Sequence, residues 1–205
     1  MAEQWIVSNA YLSQDERDNN AKCLHNVLAG IYHWSINAIC AVAGNFDGES
    51  NLNPGVWQNL DEGNTRLGLG LGQWTPATKL LNWASENNLA WDNGDNQCRF
   101  LVENEGQWHT SSTITPARPP ITWQEFMMST DTLSNLTSMF YGYWEDPGTS
   151  DGTLPHRIDR ATYYYQLLTG HDPQPPDPQP PDPPEPEPGT WGGNKKILYW
   201  KRYPF

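Results

Sequence analysis

Apolar residues recur at three- and four-residue spacing along most of residues 1–170, which is the period of an amphipathic helix. The first such segment follows Ser13 and Glu16, which have the spacing of a capping box. A second capping box, Thr122 with Glu125, precedes a later helix, and Gly170 is placed to end the last one. Other helix starts are predicted at Ser35, Thr75-Pro76, Asp95 and near Arg157. The pattern therefore predicts a mainly helical body.

Residues 55–73 depart from the helical period. They alternate in polarity on both sides of Asp61-Glu62-Gly63-Asn64, a sequence typical of a tight turn. Glycines at 68, 70 and 72 leave one face without side chains, so that backbone or a ligand can approach it closely. We therefore predict an α+β fold, a helical body with a small β-hairpin inserted after the second helix.

The composition changes abruptly after residue 172. Ten of the 16 residues from 173 to 188 are proline and four are acidic, so this stretch cannot form a helix or an interior strand. We predict a folded domain over residues 1–172, a Pro-rich acidic linker over 173–188 and a short basic, aromatic tail over 189–205. The tail has the pattern of a single strand that needs a partner, either in a further domain or on a neighbouring protein.

The chain is strongly acidic, with a net charge of −12, which disfavours nucleic-acid binding. The first residues lack a cationic segment followed by an apolar run, and no apolar run is long enough for a bilayer, so neither a secretory signal nor membrane insertion is predicted. Three cysteines are too few for a disulfide framework. The histidines have no metal-binding spacing, so we expect no metal and no cofactor.

Carboxylates are the strongest candidates for chemistry. Glu49 follows the apolar turns of a predicted helix, where partial desolvation raises the pKa of a carboxyl group and suits it to donate a proton. Asp61 and Glu62, at the hairpin tip, can face it across a cleft, which is the two-carboxylate arrangement of glycoside hydrolysis. The residues alone leave open the alternative that Glu49 is a solvated acid and that Asp61 and Glu62 are only turn residues.

A longer motif favours the first interpretation. Glu49-Ser50, followed by Asn53-Pro54 and then by Gly70-Leu71-Gly72-Gln73-Trp74, resembles the signature of the lysozyme and lytic transglycosylase superfamily. The runs 44–50 and 73–77 more narrowly resemble the phage tail lysozyme family, and weaker agreement reaches the aromatic segment 140–147 and the closing helix. The resemblance covers about residues 5–170 and implies a lysozyme-like fold in which the hairpin lines the active-site cleft.

The resemblance also implies roles for individual residues. Glu49 becomes the general acid of a muramidase that cleaves the MurNAc–GlcNAc β-1,4 bond of peptidoglycan. Asp61 and Glu62 are candidates for the second carboxylate, although many superfamily members use one Glu and the acetamido group of the substrate. Asp47 ranks below them, because it lies two positions from Glu49 on a helix and the two side chains then point away from one another. The predicted substrate-binding residues are Ser50, Trp57, Gly70, Leu71, Gln73 and Trp74.

The implied setting is the tip of a virion tail that acts on the host cell wall from outside. Its partners are then peptidoglycan glycan strands and other phage tail proteins. Related proteins carry a zinc-dependent peptidase domain after such a linker, but residues 189–205 contain no His, Asp, Glu or Cys to bind zinc. Two alternatives stay open: a lytic transglycosylase that leaves a 1,6-anhydro end, and an inactive glycan-binding module of the tail tip.

Overall fold

The fold is described by a computed structural model over residues 3–109, 121–146 and 152–173. These ranges contain no β-strand, so the mainly helical prediction is confirmed. The helices are α1 (Gln14–Gly30), α2 (Ile36–Ser50), α3 (Thr78–Glu86), α4 (Gly94–Glu103), α5 (Trp123–Met128), α6 (Leu133–Phe140) and α7 (Leu154–Thr169). Apart from Pro173, the predicted linker and tail lie outside the described residues. None of the helices in these ranges is long and apolar enough to cross a bilayer.

Side-chain caps fix the ends of several helices where the sequence predicts them. Ser13 and Glu16 form a complete capping box at α1, as Thr122 and Glu125 do at α5. The Ser35 side chain accepts a hydrogen bond from the Ala38 amide at the start of α2. Gly170 ends α7 in the left-handed conformation, with φ 74°. These four predictions are confirmed. Each depends on residues that lie within one helical turn of one another in the chain.

Three predicted helix starts are displaced. Thr75-Pro76 does not open α3, because the Thr75 hydroxyl donates to the Gln73 carbonyl and the helix begins at Thr78. In α4 the cap is the Asn93 side chain, so the helix starts one residue before the predicted Asp95. α7 begins at Leu154, with a proline in its first turn, rather than near Arg157.

The predicted β-hairpin over residues 55–73 is wrong. The two arms meet at one isolated antiparallel bridge, Trp57 with Leu69, and a short 3₁₀ segment, Gln58–Leu60, follows the first arm. Positive φ angles at Asn59, Leu60, Gly63, Gly70 and Gln73 turn the backbone repeatedly and prevent a regular ladder. The segment is therefore an irregular loop, hereafter the 55–73 loop, whose two arms pair at that one bridge.

Helix α2 is the central element of the fold. Every residue from Ala38 to Asp47 is buried, as expected for a helix surrounded by protein on all sides. α7 packs most extensively against it, and α6, α1 and α5 complete its surroundings. Gly44 permits the close crossing of α7, because a Cβ atom there would lie 2.4 Å from the Arg157 carbonyl oxygen. The far end of this central helix carries Glu49.

Most tryptophans in the described ranges belong to the core. Trp123 stacks on Trp144 with 4.8 Å between ring centroids, and Trp108 packs on Phe126 at 4.9 Å. This aromatic cluster joins α5, α6 and the turn of π-helix, Tyr141–Glu145, that continues α6. The high tryptophan content of this part of the chain is thus mainly explained by core packing.

The Gln97 side chain fastens the 55–73 loop to α4. Its Nε2 donates to the carbonyls of Pro54 and Trp91, both at 2.7 Å, and its Oε1 accepts from the Leu71 amide at 2.8 Å. Gln97→Ala leaves these buried backbone groups without partners, and we expect it to lower the free energy of unfolding by about 3 kcal/mol. Unfolding in denaturant measures this change in the free energy of unfolding. Gln124→Ala, at an exposed position on α5, should change stability by under about 0.5 kcal/mol, and an equal loss in both variants would contradict the assignment.

Candidate active site

Glu49 occupies the penultimate position of α2, where the helix gives way to Asn51 in a left-handed conformation. The last carbonyls of a helix carry partial negative charge, so a carboxylate at this end needs a compensating cation. The Ser50 hydroxyl donates to the carbonyls of Phe46 and Leu71, which ties the end of α2 to the 55–73 loop. Glu49 itself is partly exposed, with 23% of its side chain accessible.

Arg157 of α7 supplies that cation. Its Nη2 donates to Glu49 Oε1 at 2.5 Å, Nη1 donates to the Asn45 carbonyl at 3.1 Å, and Nε donates to Thr153 Oγ1 at 3.0 Å. The guanidinium also lies over the Tyr141 ring, 4.9 Å from its centroid. Only 5% of the Arg157 side chain is accessible. Partners in several directions therefore hold Arg157 in one position beside Glu49.

A second ion-pair network lies around Asp47, two residues before Glu49 on α2. Asp47 is buried, pairs with Arg17 of α1 and Arg160 of α7, and accepts a hydrogen bond from the Tyr164 hydroxyl at 3.0 Å. Burial and the neighbouring Asp47 carboxylate raise the pKa of Tyr164, so this hydroxyl stays protonated and available as a donor. Asp47 is thus fully engaged in joining three helices, and it points away from Glu49 as the helical spacing predicts.

Glu49 opens on a cavity of about 270 Å³. α2, the 55–73 loop, α3, the turn of π-helix and α7 all contribute to its wall. The lining residues are Glu49, Gly72, Gln73, Trp74, Thr75, Lys79, Gln107, Tyr141, Glu145 and Arg157. A second pocket, of about 480 Å³, shares Lys79 and Gln107 with the first, so the two adjoin. Glu49 lines the smaller of these two neighbouring pockets.

Glu145 brings a second carboxyl group to this cavity. The residue as a whole is half-buried, but its Oε1 is sealed from solvent and has no hydrogen-bond partner among the described residues. Burial raises the pKa of Glu145 well above its ordinary value, the neighbouring Glu49 carboxylate raises it further, and Arg157 opposes both. Burial and the Glu49 carboxylate therefore both favour the neutral, protonated form of the Glu145 carboxyl.

Comparisons with known proteins agree with the lysozyme-like motif. Residues 19–168 match the sequence model of a family described as phage tail lysozyme. The chain belongs to the phage tail lysozyme family. It is also 43% identical, over 165 residues, to morphogenesis protein 1 of Bacillus phage B103. That match covers 79% of this chain but 42% of the phage protein, so the chain spans less than half the length of this relative.

Three of the predicted site residues lie together in this tail lysozyme domain. Glu49, Gln73 and Trp74 all line the cavity. Gln73 Nε2 donates to the carbonyls of Val56 and Gly70, so the amide group is held by the loop itself. Trp74 is only 1% exposed and packs against Phe46 and Phe100, so it forms part of the wall rather than a free platform.

Four further predicted binding residues support the loop and do not line this cavity. Ser50 and Leu71 are buried and hydrogen-bonded to each other through the Leu71 carbonyl. Gly70 has a φ of 75° and packs so closely on Gln97 that a Cβ atom would lie 2.5 Å from its Oε1. Trp57 is 6% exposed and contacts Trp91 edge to face. Their direct contact with a glycan stays a prediction.

Asp61 and Glu62 lie on the exposed turn of the 55–73 loop. Asp61 accepts a hydrogen bond from the Asn64 side chain at 2.8 Å, which is the contact expected of a turn residue. Neither carboxylate lines the cavity that contains Glu49. The structure therefore does not bring them together with Glu49, and their catalytic role stays a prediction.

The sequence interpretation missed Arg157 and Glu145 as site residues. Arg157 is 108 residues from Glu49 in the chain, and no local pattern indicates that α7 crosses α2 at that point. Glu145 belongs to the aromatic segment 140–147 that resembles the family, and this segment was the one available signal for it. No group of three or more metal-binding side chains occurs in the described ranges.

Proposed function

We propose that this chain is a muramidase of a phage tail, which hydrolyses the MurNAc–GlcNAc β-1,4 bond of peptidoglycan with Glu49 as general acid. The observation that carries the proposal is the placement of Glu49, which lies at the wall of a cavity beside Gln73 and is paired with a fixed arginine. Membership of the phage tail lysozyme family supports the substrate and the class of reaction.

The chemistry requires a proton donor beside the glycosidic oxygen. Breaking the bond from C1 leaves an electron pair on this oxygen, and a positioned acid neutralises it as the charge develops. The positive charge that develops at C1 needs a nearby carboxylate or the acetamido group of the sugar. Water then adds to C1 and returns a proton to the site. Glu49 is placed to take part because it is anchored on the central helix and still partly accessible.

The neighbouring pocket supports a polymeric substrate. A glycan strand extends on both sides of the bond that is cut, so its binding site must continue past the catalytic group. The adjoining pocket, which shares Lys79 and Gln107 with the Glu49 cavity, provides such a continuation. Polar side chains there, including Asn104 and His109, offer hydrogen-bond partners for sugar hydroxyls.

We further propose that the chain acts from the tip of a virion tail, together with other tail proteins, during penetration of the host cell wall. The family description and the name of the Bacillus phage relative support this setting. Because the chain covers less than half of that relative, the activities of the relative's remaining residues are not assigned to this chain.

Digestion of purified Gram-positive peptidoglycan tests the proposed reaction. The full chain is incubated with cell walls in water enriched in oxygen-18, and the released fragments are analysed by mass spectrometry. A muramidase yields reducing MurNAc ends that contain one oxygen-18 atom from the water. Unlabelled 1,6-anhydro ends would instead identify a lytic transglycosylase, and wall binding without released fragments would identify a glycan-binding module. Either of these results overturns the proposal.

A further inference from the structure

We propose that Glu145 is the second carboxyl group of the reaction and that it shares one proton with Glu49. This inference rests on the proposed glycosidase function and deepens it. It differs from the sequence-based prediction, which places the second carboxyl at Asp61 or Glu62. Glu49, Glu145 and Arg157 line one cavity, and Arg157 is paired with Glu49; the three are hereafter the Glu49–Glu145–Arg157 unit.

The surroundings of Glu145 favour a neutral carboxyl. Its Oε1 is completely buried and accepts no hydrogen bond from a described residue, so nothing there stabilises a negative charge on that oxygen. Arg157 is already committed to Glu49, to the Asn45 carbonyl and to Thr153. A single buried guanidinium balances one carboxylate, so two ionised glutamates would leave an unpaired charge. One proton on the pair removes that imbalance.

Other charged groups near Glu145 do not change this balance. Lys79 of α3 lines the cavity but is exposed, so solvent screens its charge. Next to Glu145 in the chain, Asp146 is exposed and lies 3.9 Å from His109 Nε2. Tyr141, from the same turn as Glu145, contacts Arg157 with its ring. Glu49 is therefore the other carboxyl group that lines the cavity with Glu145.

The shared proton gives the unit both functions of a glycosidase. The pair donates its one proton to the glycosidic oxygen as the bond to C1 breaks and its electrons pass to that oxygen. Both carboxyls are then ionised and face the positive charge at C1. Water adds to C1, and the proton it loses returns to the pair, so the unit is restored. In this proposal the proton belongs to the pair rather than to either glutamate.

The pH profile of cleavage separates this role from a structural one. Activity requires the protonated pair, so it falls at alkaline pH when the pair loses its proton. In Glu145→Gln, Glu49 keeps Arg157 but loses the like charge that retains the proton, so the alkaline limb should move to lower pH by about one unit or more. The rate at neutral pH should fall at least about tenfold. Glu86, at the end of α3, is exposed, so Glu86→Gln is the matched control. It should keep the parental rate and the parental alkaline limb.

Two further measurements keep the test decisive if Glu145→Gln folds poorly. Glu145→Asp retains a carboxyl, so its alkaline limb should stay close to that of the parent even if its rate is lower. In the parent, a carbon-13 titration of glutamate carboxyls should show Glu145 titrating well above the ordinary range of about 4 to 5. This measurement needs no variant to be folded.

Stability gives an independent check with a definite sign. A carboxyl whose pKa is higher in the folded than in the unfolded protein stabilises the fold at acidic pH and loses that contribution as pH rises through the folded value. Glu145→Gln is neutral at every pH. The melting temperature of Glu145→Gln relative to that of the parent should therefore rise as the pH increases above the ordinary glutamate range of about 4 to 5.

The outcomes distinguish failure of this inference from failure of the proposed function. If the parent releases no glycan fragments, the muramidase proposal fails. The proton-sharing role is wrong if the parent cleaves but Glu145→Gln keeps the parental rate or the parental alkaline limb. It is also wrong if Glu145 titrates as an ordinary glutamate. In both cases the muramidase proposal stands. A loss of activity in Asp61→Asn or Glu62→Gln with a normal Glu145→Gln would assign the second carboxyl to the 55–73 loop.

Discussion

Glu49→Gln is expected to lower the rate of peptidoglycan cleavage by about 10²- to 10⁴-fold, the range typical for removal of a general acid. The amide has almost the same shape as the carboxyl but does not donate an acidic proton. Its Oε1 can still accept a hydrogen bond from Arg157, so the buried guanidinium keeps a partner and the protein should stay folded. The assay is the release of soluble muropeptides from purified cell walls.

Wall binding and folding must be measured beside this rate. We expect Glu49→Gln to bind walls as the parent does and to give an unchanged circular dichroism spectrum. Glu86→Gln, which also exchanges one exposed carboxylate for an amide, should retain full activity. If Glu49→Gln cleaves walls at the parental rate, then Glu49 is not the general acid, whatever the reaction of the parent proves to be.

Much of the helical fold could be predicted from local sequence. A capping box needs two residues three positions apart, and both boxes, at Ser13 and Thr122, form as predicted. The 55–73 loop shows where local patterns fail. Alternating polarity fits a hairpin. However, the side chain of Gln97 on α4 accepts a hydrogen bond from the Leu71 amide and donates one to the Pro54 carbonyl. These contacts fix the loop, and no local pattern reveals them. Tertiary hydrogen bonds thus decide the backbone there.

The candidate site was predictable in part for the same reason. Glu49 and Gln73 belong to one short motif, and both reach the cavity. Arg157 and Glu145 come from the last third of the chain and meet Glu49 only because α7 and the turn after α6 pack on α2. Their chemistry depends on burial and on one another, which a sequence pattern does not encode. The aromatic residues next to Glu145 gave the family resemblance without indicating its role.

Gly44→Ala is expected to destabilise the helical body strongly. A Cβ atom at this position would lie 2.4 Å from the Arg157 carbonyl oxygen, 2.7 Å from the Ala161 amide nitrogen and 2.9 Å from the Ala161 Cβ. Two of these atoms are backbone atoms of α7, so no side-chain rotation relieves the contact and the helices must separate. We expect a loss of about 3 kcal/mol or more, which corresponds to a melting temperature lower by about 6–12 °C.

Two matched substitutions test the cause of this loss. Gly30→Ala, at the end of α1, meets no atom within 4 Å, and the better helix propensity of alanine should raise stability by about 0.5 kcal/mol. Gly48→Ala, one turn after Gly44, has atoms of the Arg157 side chain as its nearest contacts, at 3.2–3.4 Å, and should give an intermediate loss. Separation of α2 and α7 also moves Arg157 away from Glu49, so Gly44→Ala should lose activity at temperatures where it is still folded. Equal melting temperatures for Gly44→Ala and Gly30→Ala would show that the two helices do not cross at this distance.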